Sequence, residues 1–383
     1  MQNLNILIIG SGVAGLTTAL LLKKQGLTPT VIEKEEKHAF NRSGYMLGLL
    51  PLGGRVMNQL DLSYAYYENS VEMKTYEIHK ENGDLIKSFE LDFINDAYGS
   101  YRGIERQKLI SLMLDQFGSG NIRFGTTATG FDQNADGVSV EFSDDTVKVF
   151  DLVISTDGMH SQTRQKLWDP GEYDYYDTNW GGWICWLDGT HLDSYKEYWG
   201  AASFLGIYPV KDRMGVFLGG PVQNIQEKGI KAFINAIQKD VKPEHKLLHI
   251  ALEQLSKTDS PFFWKLHDYR TKSWVKGNIM LLGDAACGFL PTAGVGASMA
   301  MDSAASLVDE LSRCDKKHLG YGLKLYMKRQ KQKVETAQDD SRKLGKFMFV
   351  KSKLISEIRD YAMRYYSLEQ MLHNLSKTIE GEN

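Results

Sequence analysis

The chain has 383 residues, enough for two domains or for one domain with large insertions. Hydrophobic residues at 42% and charged residues at 24% describe an ordinary globular protein, and a net charge of −3 supplies no electrostatic reason for a nucleic-acid or anionic-membrane partner. Cys185, Cys287 and Cys314 lack C-x-x-C spacing, which fits reduced thiols and a cytoplasmic location; the nine histidines lack H-x-x-x-H or H-E-x-x-H spacing, so no protein-bound metal is expected.

The first element is the apolar run that starts at Leu4. Its length to Leu22 approaches that of a signal peptide or membrane span. No Lys or Arg precedes it, however, and Gly10, Gly12 and Gly15 interrupt it. The pattern instead predicts a strand over 5–9, a helix over 13–24 and a second strand over 28–33. G-x-G-x-x-G in that setting is a dinucleotide fingerprint. Gly10 permits the tight turn, Gly12 the close approach of a pyrophosphate, and Gly15 the packing of helix on strand. The helix start offers free N–H groups and a positive dipole end, and Glu33 closes the second strand as a ribose acceptor. At this level the dinucleotide is either NAD or FAD.

A glycine-punctuated loop and an amphipathic helix follow, in "NRSGYMLGLLPLGGRVMNQLDL". "YEIHKENGDLIKSFEL" predicts a hairpin around Asn82-Gly83. Leu109, Ile110, Leu112, Met113 and Phe117 mark a helix in "RGIERQKLISLMLDQFG", and "GVSVEFSDDTVKVFDLVISTDG" predicts a hairpin running into Asp157-Gly158. Strands dominate from Asn179 to Trp274, with helices near 229–239 and 244–255. "GNIMLLGDAACGFLPTAGVGASMAMDSAASLVDELSRC" then returns to apolar strand, glycine loop and long helix, and 322–378 is helical in pattern. This order predicts an α/β fold: a discontinuous domain over 1–70, 100–175 and 276–320, an inserted β-rich domain over 71–99 and 176–275, and a helical segment over 321–383.

Two later motifs carry chemistry. Asp157 and Gly158 follow a buried strand, with Ser161 and Arg164 on the next turn; by itself this is equally an N-capped helix start. Gly283 and Asp284 sit at the carboxyl end of a strand, where open α/β sheets bind ligands, and Pro291, Gly294, Gly296 and Ala297 lead into a long helix. Together, the three motifs resemble those of the FAD-dependent aromatic hydroxylases, the single-component flavoprotein monooxygenases of the p-hydroxybenzoate hydroxylase type. The resemblance spans 6–311 and is nearest to salicylate- and urate-hydroxylase-type and tetracycline-inactivating members. It implies a Rossmann-like FAD domain of the glutathione reductase type, an inserted substrate sheet and C-terminal helices.

It also implies roles. Gly10, Gly12, Val13, Ala14, Gly15, Glu33 and Lys34 match the segment that holds the ADP half of FAD. Arg106 matches the arginine that reaches the pyrophosphate and ribitol, and Arg42 lies where the cofactor-proximal loop falls. Asp157-Gly158 matches an element linked to FAD and NAD(P)H. Gly283-Asp284 resembles the ribityl-binding pair, and Pro291 to Ala297 the loop beside the isoalloxazine. The implied activity is hydroxylation of a small aromatic or polyketide-like substrate, possibly including tetracycline-type molecules, with NAD(P)H and O₂, through a flavin C4a-hydroperoxide. The FAD is non-covalent, since nothing matches a covalent attachment site, and the protein is a monomer or homodimer. An FAD reductase of isoprenoid double bonds and a flavin redox sensor share the same cofactor features.

Cys287 stands where the family often has histidine, and Val295 and Met301-Asp302 depart from its G-Q-G and E-D-A. "TNWGGWICWLDG" lacks the W-x-W-x-I-P of flavin halogenases; Trp183 and Trp186 resemble the first strand of the substrate domain, while Trp180 and Trp183 equally suit packing. His191, His267 and the tyrosines are unranked candidates for a general base. Leu354, Ile358, Tyr361, Tyr365, Leu368, Leu372 and Leu375 form a stripe expected to pack as a dock, a lid or a dimer seam.

Overall fold

The computed structural model describes residues 4–41, 44–189, 192–259 and 261–365. Arg42, His191 and the end of the apolar stripe at Leu368, Leu372 and Leu375 therefore lie outside the described residues.

Ile6–Ile9 is a run of four apolar residues with both faces covered, as in a strand at the centre of a parallel sheet. It pairs in parallel with Leu152–Ser155 on one side and Thr30–Ile32 on the other. Ile279–Leu281 extends the sheet beyond the former, and Ile122–Arg123 beyond the latter. An antiparallel Val275–Lys276 closes one edge. The helices Val13–Lys24 and Gly296–Ser312 pack together in the same core, which also takes Val138, Val140, Phe142 and Phe150 from a separate three-stranded sheet. There the expected hairpin gains a third strand, Ala128–Asn134, and its last strand breaks at Asp151 into pieces belonging to two sheets.

The second sheet has seven strands in the order Phe262–Thr271, Tyr173–Asp188, Arg213–Pro221, Phe204–Val210, Ser194–Trp199, Thr75–Lys80 and Leu85–Glu90. Strand alternation sorts its two faces. Trp183, Cys185, Val216 and Leu218 point to the helices Val222–Gln238 and Lys246–Lys257, while Trp180, Ile184, Phe204 and Phe217 form another core on the opposite face. The first of those helices begins seven residues before the expected start. Gly229, at φ 74°, interrupts its helical backbone and splits its periodicity.

Leu319–Met348 straps the halves together. At ~1.5 Å per residue its 30 residues span about 45 Å. Leu323, Tyr326 and Val334 enter the core of the parallel sheet, and Leu344, Phe347 and Met348 that of the seven-stranded sheet. Asp268, fully buried, accepts hydrogen bonds from Arg342 Nε (3.0 Å) and Nη2 (2.5 Å), tying strap to sheet.

In the following helix, Lys353–Met363, the described part of the apolar stripe does not dock on the rest of the chain, against the first of its three expected roles. Leu354, Ile358, Tyr361 and Tyr365 are all exposed. The docked face carries Ser356, Arg359, Asp360 and Met363 instead. Arg359 fixes this choice: its guanidinium donates to Trp199 O (2.8 Å), Met348 O (3.0 Å) and Asp360 Oδ1. Turning the apolar stripe inward would break these bonds and leave the Arg359 guanidinium without its acceptors.

Candidate active site

A cleft of about 1330 Å³ runs from the carboxyl ends of the parallel strands to the inner face of the seven-stranded sheet. This exceeds the ~300–1,000 Å³ of a single small-ligand pocket. Its two ends differ in chemistry.

The first end is built by the glycine turn. Gly10 has φ 95°, and a Cβ on it would stand 2.8 Å from Thr156 O. A Cβ on Gly15 would meet Gly10 O at 2.0 Å, so only hydrogen lets the helix sit on the turn. Gly12, the N-cap of Val13–Lys24, has nothing within 4 Å of its Cβ direction. No side chain caps that helix and no acid occupies its first turn, so its leading N–H groups face the cleft beside Val13 and Ala14. Glu33 is buried at the rim. Its Oε2 accepts from Ser11 N and Oγ, both at 2.9 Å, and its Oε1 from Glu35 N, which orients the carboxylate toward the cleft wall it shares with Lys34.

Asp157 is committed locally. Its Oδ1 accepts from Ser155 Oγ, and its Oδ2 from Thr163 N and Oγ1, while Ser161 caps the helix Gln162–Leu167. The capped-helix reading of this motif therefore holds, with Gly158 (φ 78°) left open on the cleft side. Arg164 is buried and donates to Ala285 O (2.9 Å) and Met159 O (2.6 Å), bracing this turn against the Gly283–Ala285 turn. Gly283 takes φ 63°, and Asp284 lines the cleft. Burial raises the Asp284 carboxyl to about 6, opposed by the positive charges of Arg106 and Arg164. Among the described residues its carboxyl has no hydrogen-bond partner, which leaves it open to a hydroxyl donor. Arg106 lines the same stretch beside the ring of Tyr45.

Pro291, Gly294, Gly296 and Ala297 form the opposite lip. Gly294 is left-handed at φ 61°, and Tyr101 Oη would stand 3.0 Å from a Cβ there. The helix Gly296–Ser312 begins without a side-chain cap or first-turn acid, presenting a second set of free N–H groups. The departures at 287, 295 and 302 leave this lip intact. Cys287 and Val295 are buried, the former with its thiol pushed up by burial, and Asp302 accepts from Gln330 and Lys333 of the strap.

The sheet end is aromatic and apolar, with Trp186, Phe204, Phe217, Trp264 and Phe349 among its walls. Trp180 stacks on Phe349 at 4.7 Å, and Trp183 packs on the far face. His267 does not line the cleft; burial and the neighbouring His160 lower its pKa. The group that sequence reasoning missed is Glu197. It lies on the strand Ser194–Trp199, is 5% exposed and lines the cleft. Tyr76 Oη (2.5 Å) and Trp199 Nε1 (2.9 Å) donate to its Oε2, and Tyr208 Oη (2.8 Å) donates to its Oε1. Burial raises its pKa against these three hydrogen bonds. The available signal was a carboxylate alternating with Tyr195 and Trp199 on an otherwise apolar strand face.

The turn, the two uncapped helix starts and the acids beside them suit a dinucleotide. The FAD binding domain family model matches residues 3–339, and the chain belongs to that family. A flavin-dependent monooxygenase from an unknown prokaryotic organism is 24% identical, over 82% of this chain and 82% of the relative. The FAD-dependent monooxygenase olcE of Penicillium canescens is 26% identical, over 82% and 72%. Klebsiella pneumoniae HpxO, solved with FAD and uric acid, shares the fold at TM-score 0.86 and 22% identity, covering 99% of this chain and 97% of that one. The chain thus falls among the FAD-dependent monooxygenases of the aromatic hydroxylase type. No helix among the described residues is long and apolar enough to cross a membrane.

Proposed function

We propose that the protein hydroxylates a small aromatic or polyketide-like molecule, with NAD(P)H and O₂ as co-substrates and FAD as a non-covalent cofactor. The observation that carries this reading is the single cleft, continuous from an uncapped glycine turn to an enclosed aromatic wall. FAD, when bound, supplies the redox chemistry and the activation of O₂.

In this reading the residues divide the work. The N–H groups after Gly12 take the pyrophosphate, and the carboxylate of Glu33 accepts from the adenosine ribose beside Lys34. Arg106 neutralises phosphate charge, and the unpaired Asp284 carboxyl accepts from the ribityl chain. The N–H groups at Gly294 to Ala297 stabilise negative charge on the reduced ring. The aromatic walls position the substrate and exclude water, with Phe347, Phe349 and Met363 closing the far side.

The test has three parts. Purified protein should be yellow and release its FAD on acid denaturation. It should consume NAD(P)H, and a substrate screen should give O₂ uptake matched by product 16 mass units heavier. Substrate reduction without O₂ uptake would place it with the flavin reductases instead. Flavin that stays on the precipitated chain contradicts non-covalent binding.

A further inference from the structure

We propose that Glu197, held by Tyr76 and Tyr208, selects neutral substrates carrying an O–H or N–H donor and rejects anionic ones. This rests on the hydroxylase reading of the cleft and adds the substrate class to it.

Three observations carry the inference. First, Glu197 is a built group: it lies 5% exposed in an aromatic wall, held from both sides by side chains of three strands. Second, its hydrogen bonds are unevenly shared. Oε2 accepts two and Oε1 accepts one, so Oε1 keeps an acceptor position for a substrate donor. Tyr76 and Tyr208 spend their protons on the carboxylate, so both phenolic oxygens also present acceptors. Third, no cation among the described residues is paired with it. Among the described residues lining the sheet end, the one basic side chain is Lys343, which is 70% exposed and paired with Asp340. Arg213 stacks on Trp186 from outside the lining, bound to both oxygens of Glu105.

A substrate carboxylate brought to this wall meets acceptors and a like charge in an apolar setting, where repulsion is poorly screened. A neutral phenol, amide or heteroaromatic N–H fills the open acceptor position on Oε1. Leaving that position empty against an apolar ligand is tolerated; placing an anion there is not.

The test uses the FAD-loaded enzyme and a pair matched in shape, 2-hydroxybenzamide and 2-hydroxybenzoate, at pH 7. Perturbation of the flavin absorbance gives each dissociation constant without NAD(P)H or turnover. The amide should bind at least tenfold tighter than the carboxylate. Glu197→Gln, which keeps the shape and removes the charge, should bring the ratio to within about threefold. Tyr208→Phe keeps the carboxylate and should retain the preference for the amide, and FAD affinity equal to the parent's shows that Glu197→Gln is folded. Equal binding of the pair, tighter binding of the carboxylate, no response to the amide, or a ratio unchanged in Glu197→Gln would each overturn the assignment. Selectivity without O₂ uptake refutes the hydroxylase reading alone; O₂ uptake with selectivity for anions refutes the role of Glu197 alone.

Discussion

Alanine at Gly12 and alanine at Gly15 should damage the protein in opposite ways, although only two residues separate them. At Gly15 the added methyl would lie 2.0 Å from Gly10 O and 2.7 Å from Thr156 Oγ1. The first is a backbone atom of the turn, so the helix Val13–Lys24 must move off the sheet. Overpacking of this kind costs roughly 1–3 kcal/mol. At roughly 2–4 °C per kcal/mol for domains of this order, the FAD-free protein should melt several degrees lower. At Gly12 the methyl meets nothing within 4 Å, and φ −74° with ψ −166° is open to alanine. The FAD-free Gly12→Ala protein should therefore melt within about a degree of the parent, because a surface change without contacts costs under ~0.5 kcal/mol. Its FAD affinity should nevertheless fall at least tenfold, about 1.4 kcal/mol, because the methyl occupies the approach of the pyrophosphate. Thermal melts of stripped protein and FAD titration by flavin fluorescence measure the two effects separately. Full FAD affinity in Gly12→Ala would refute the phosphate role of that turn, and an unchanged melt in Gly15→Ala would refute the packing role.

Three further outcomes follow from the same geometry. The Asp284 carboxyl is raised from 3.8 to about 6, so its ionised form destabilises the FAD-free fold fully above pH 6, and the cost is relieved as pH falls toward 4. FAD-free protein should gain up to about 3 kcal/mol between pH 7 and pH 4 from this group; in urea melts Asp284→Asn should lack that component. Arg359→Met removes a donor from Trp199 O and Met348 O and leaves Asp360 without its partner, at roughly 3–5 kcal/mol for a broken buried pair; limited proteolysis should cut within 349–365 faster than in the parent. Truncation after Lys353 removes Met363 from the cleft wall but no cofactor-lining segment, so FAD should stay bound while the ratio of peroxide to hydroxylated product rises at equal NAD(P)H consumed; an unchanged ratio leaves the segment a packing element.

The glycine turns proposed for the cofactor were legible because their geometry is local. Glycines at fixed offsets, a strand-ending acid and a glycine-led helix are each readable within a few residues, and Gly10, Gly15, Gly283 and Gly294 take the conformations or contacts their types require. The substrate end was not, because it is assembled across sheet order. Glu197 becomes a site group only when Thr75–Lys80 pairs in parallel with Ser194–Trp199, bringing Tyr76 to a residue 121 positions away. Arg164 was visible as part of a motif, but its partner Ala285 O comes from another 121 positions downstream. The stripe at 354–365 did not reveal the docked face for a different reason. Periodicity reports which residues share a helix face, whereas the buried hydrogen bonds of Arg359 decided which face docks.

The sheet order of the nucleotide half also dictates when the protein can become itself. Ile6–Ile9 is among the first segments made, yet Asn5 bonds Asp151, 146 positions away, and the strand beyond Leu152–Ser155 ends only at Leu281. At 5–20 residues per second, roughly 15–55 s separate synthesis of the first strand from the last. Until Leu152–Ser155 is made, the fully apolar first strand has one edge unpaired, and until Ile279–Leu281 is made the same holds for Leu152–Ser155, a configuration that folds slowly and invites association. On the proposed reading the cofactor cradle forms only once Gly283 to Ala297 has joined the turn at Gly10, so FAD would not recognise a shorter precursor. Ligand at a hundredfold over its dissociation constant stabilises such a state by about 2.7 kcal/mol. The yield of folded protein should accordingly track the flavin supply of the cell that makes it.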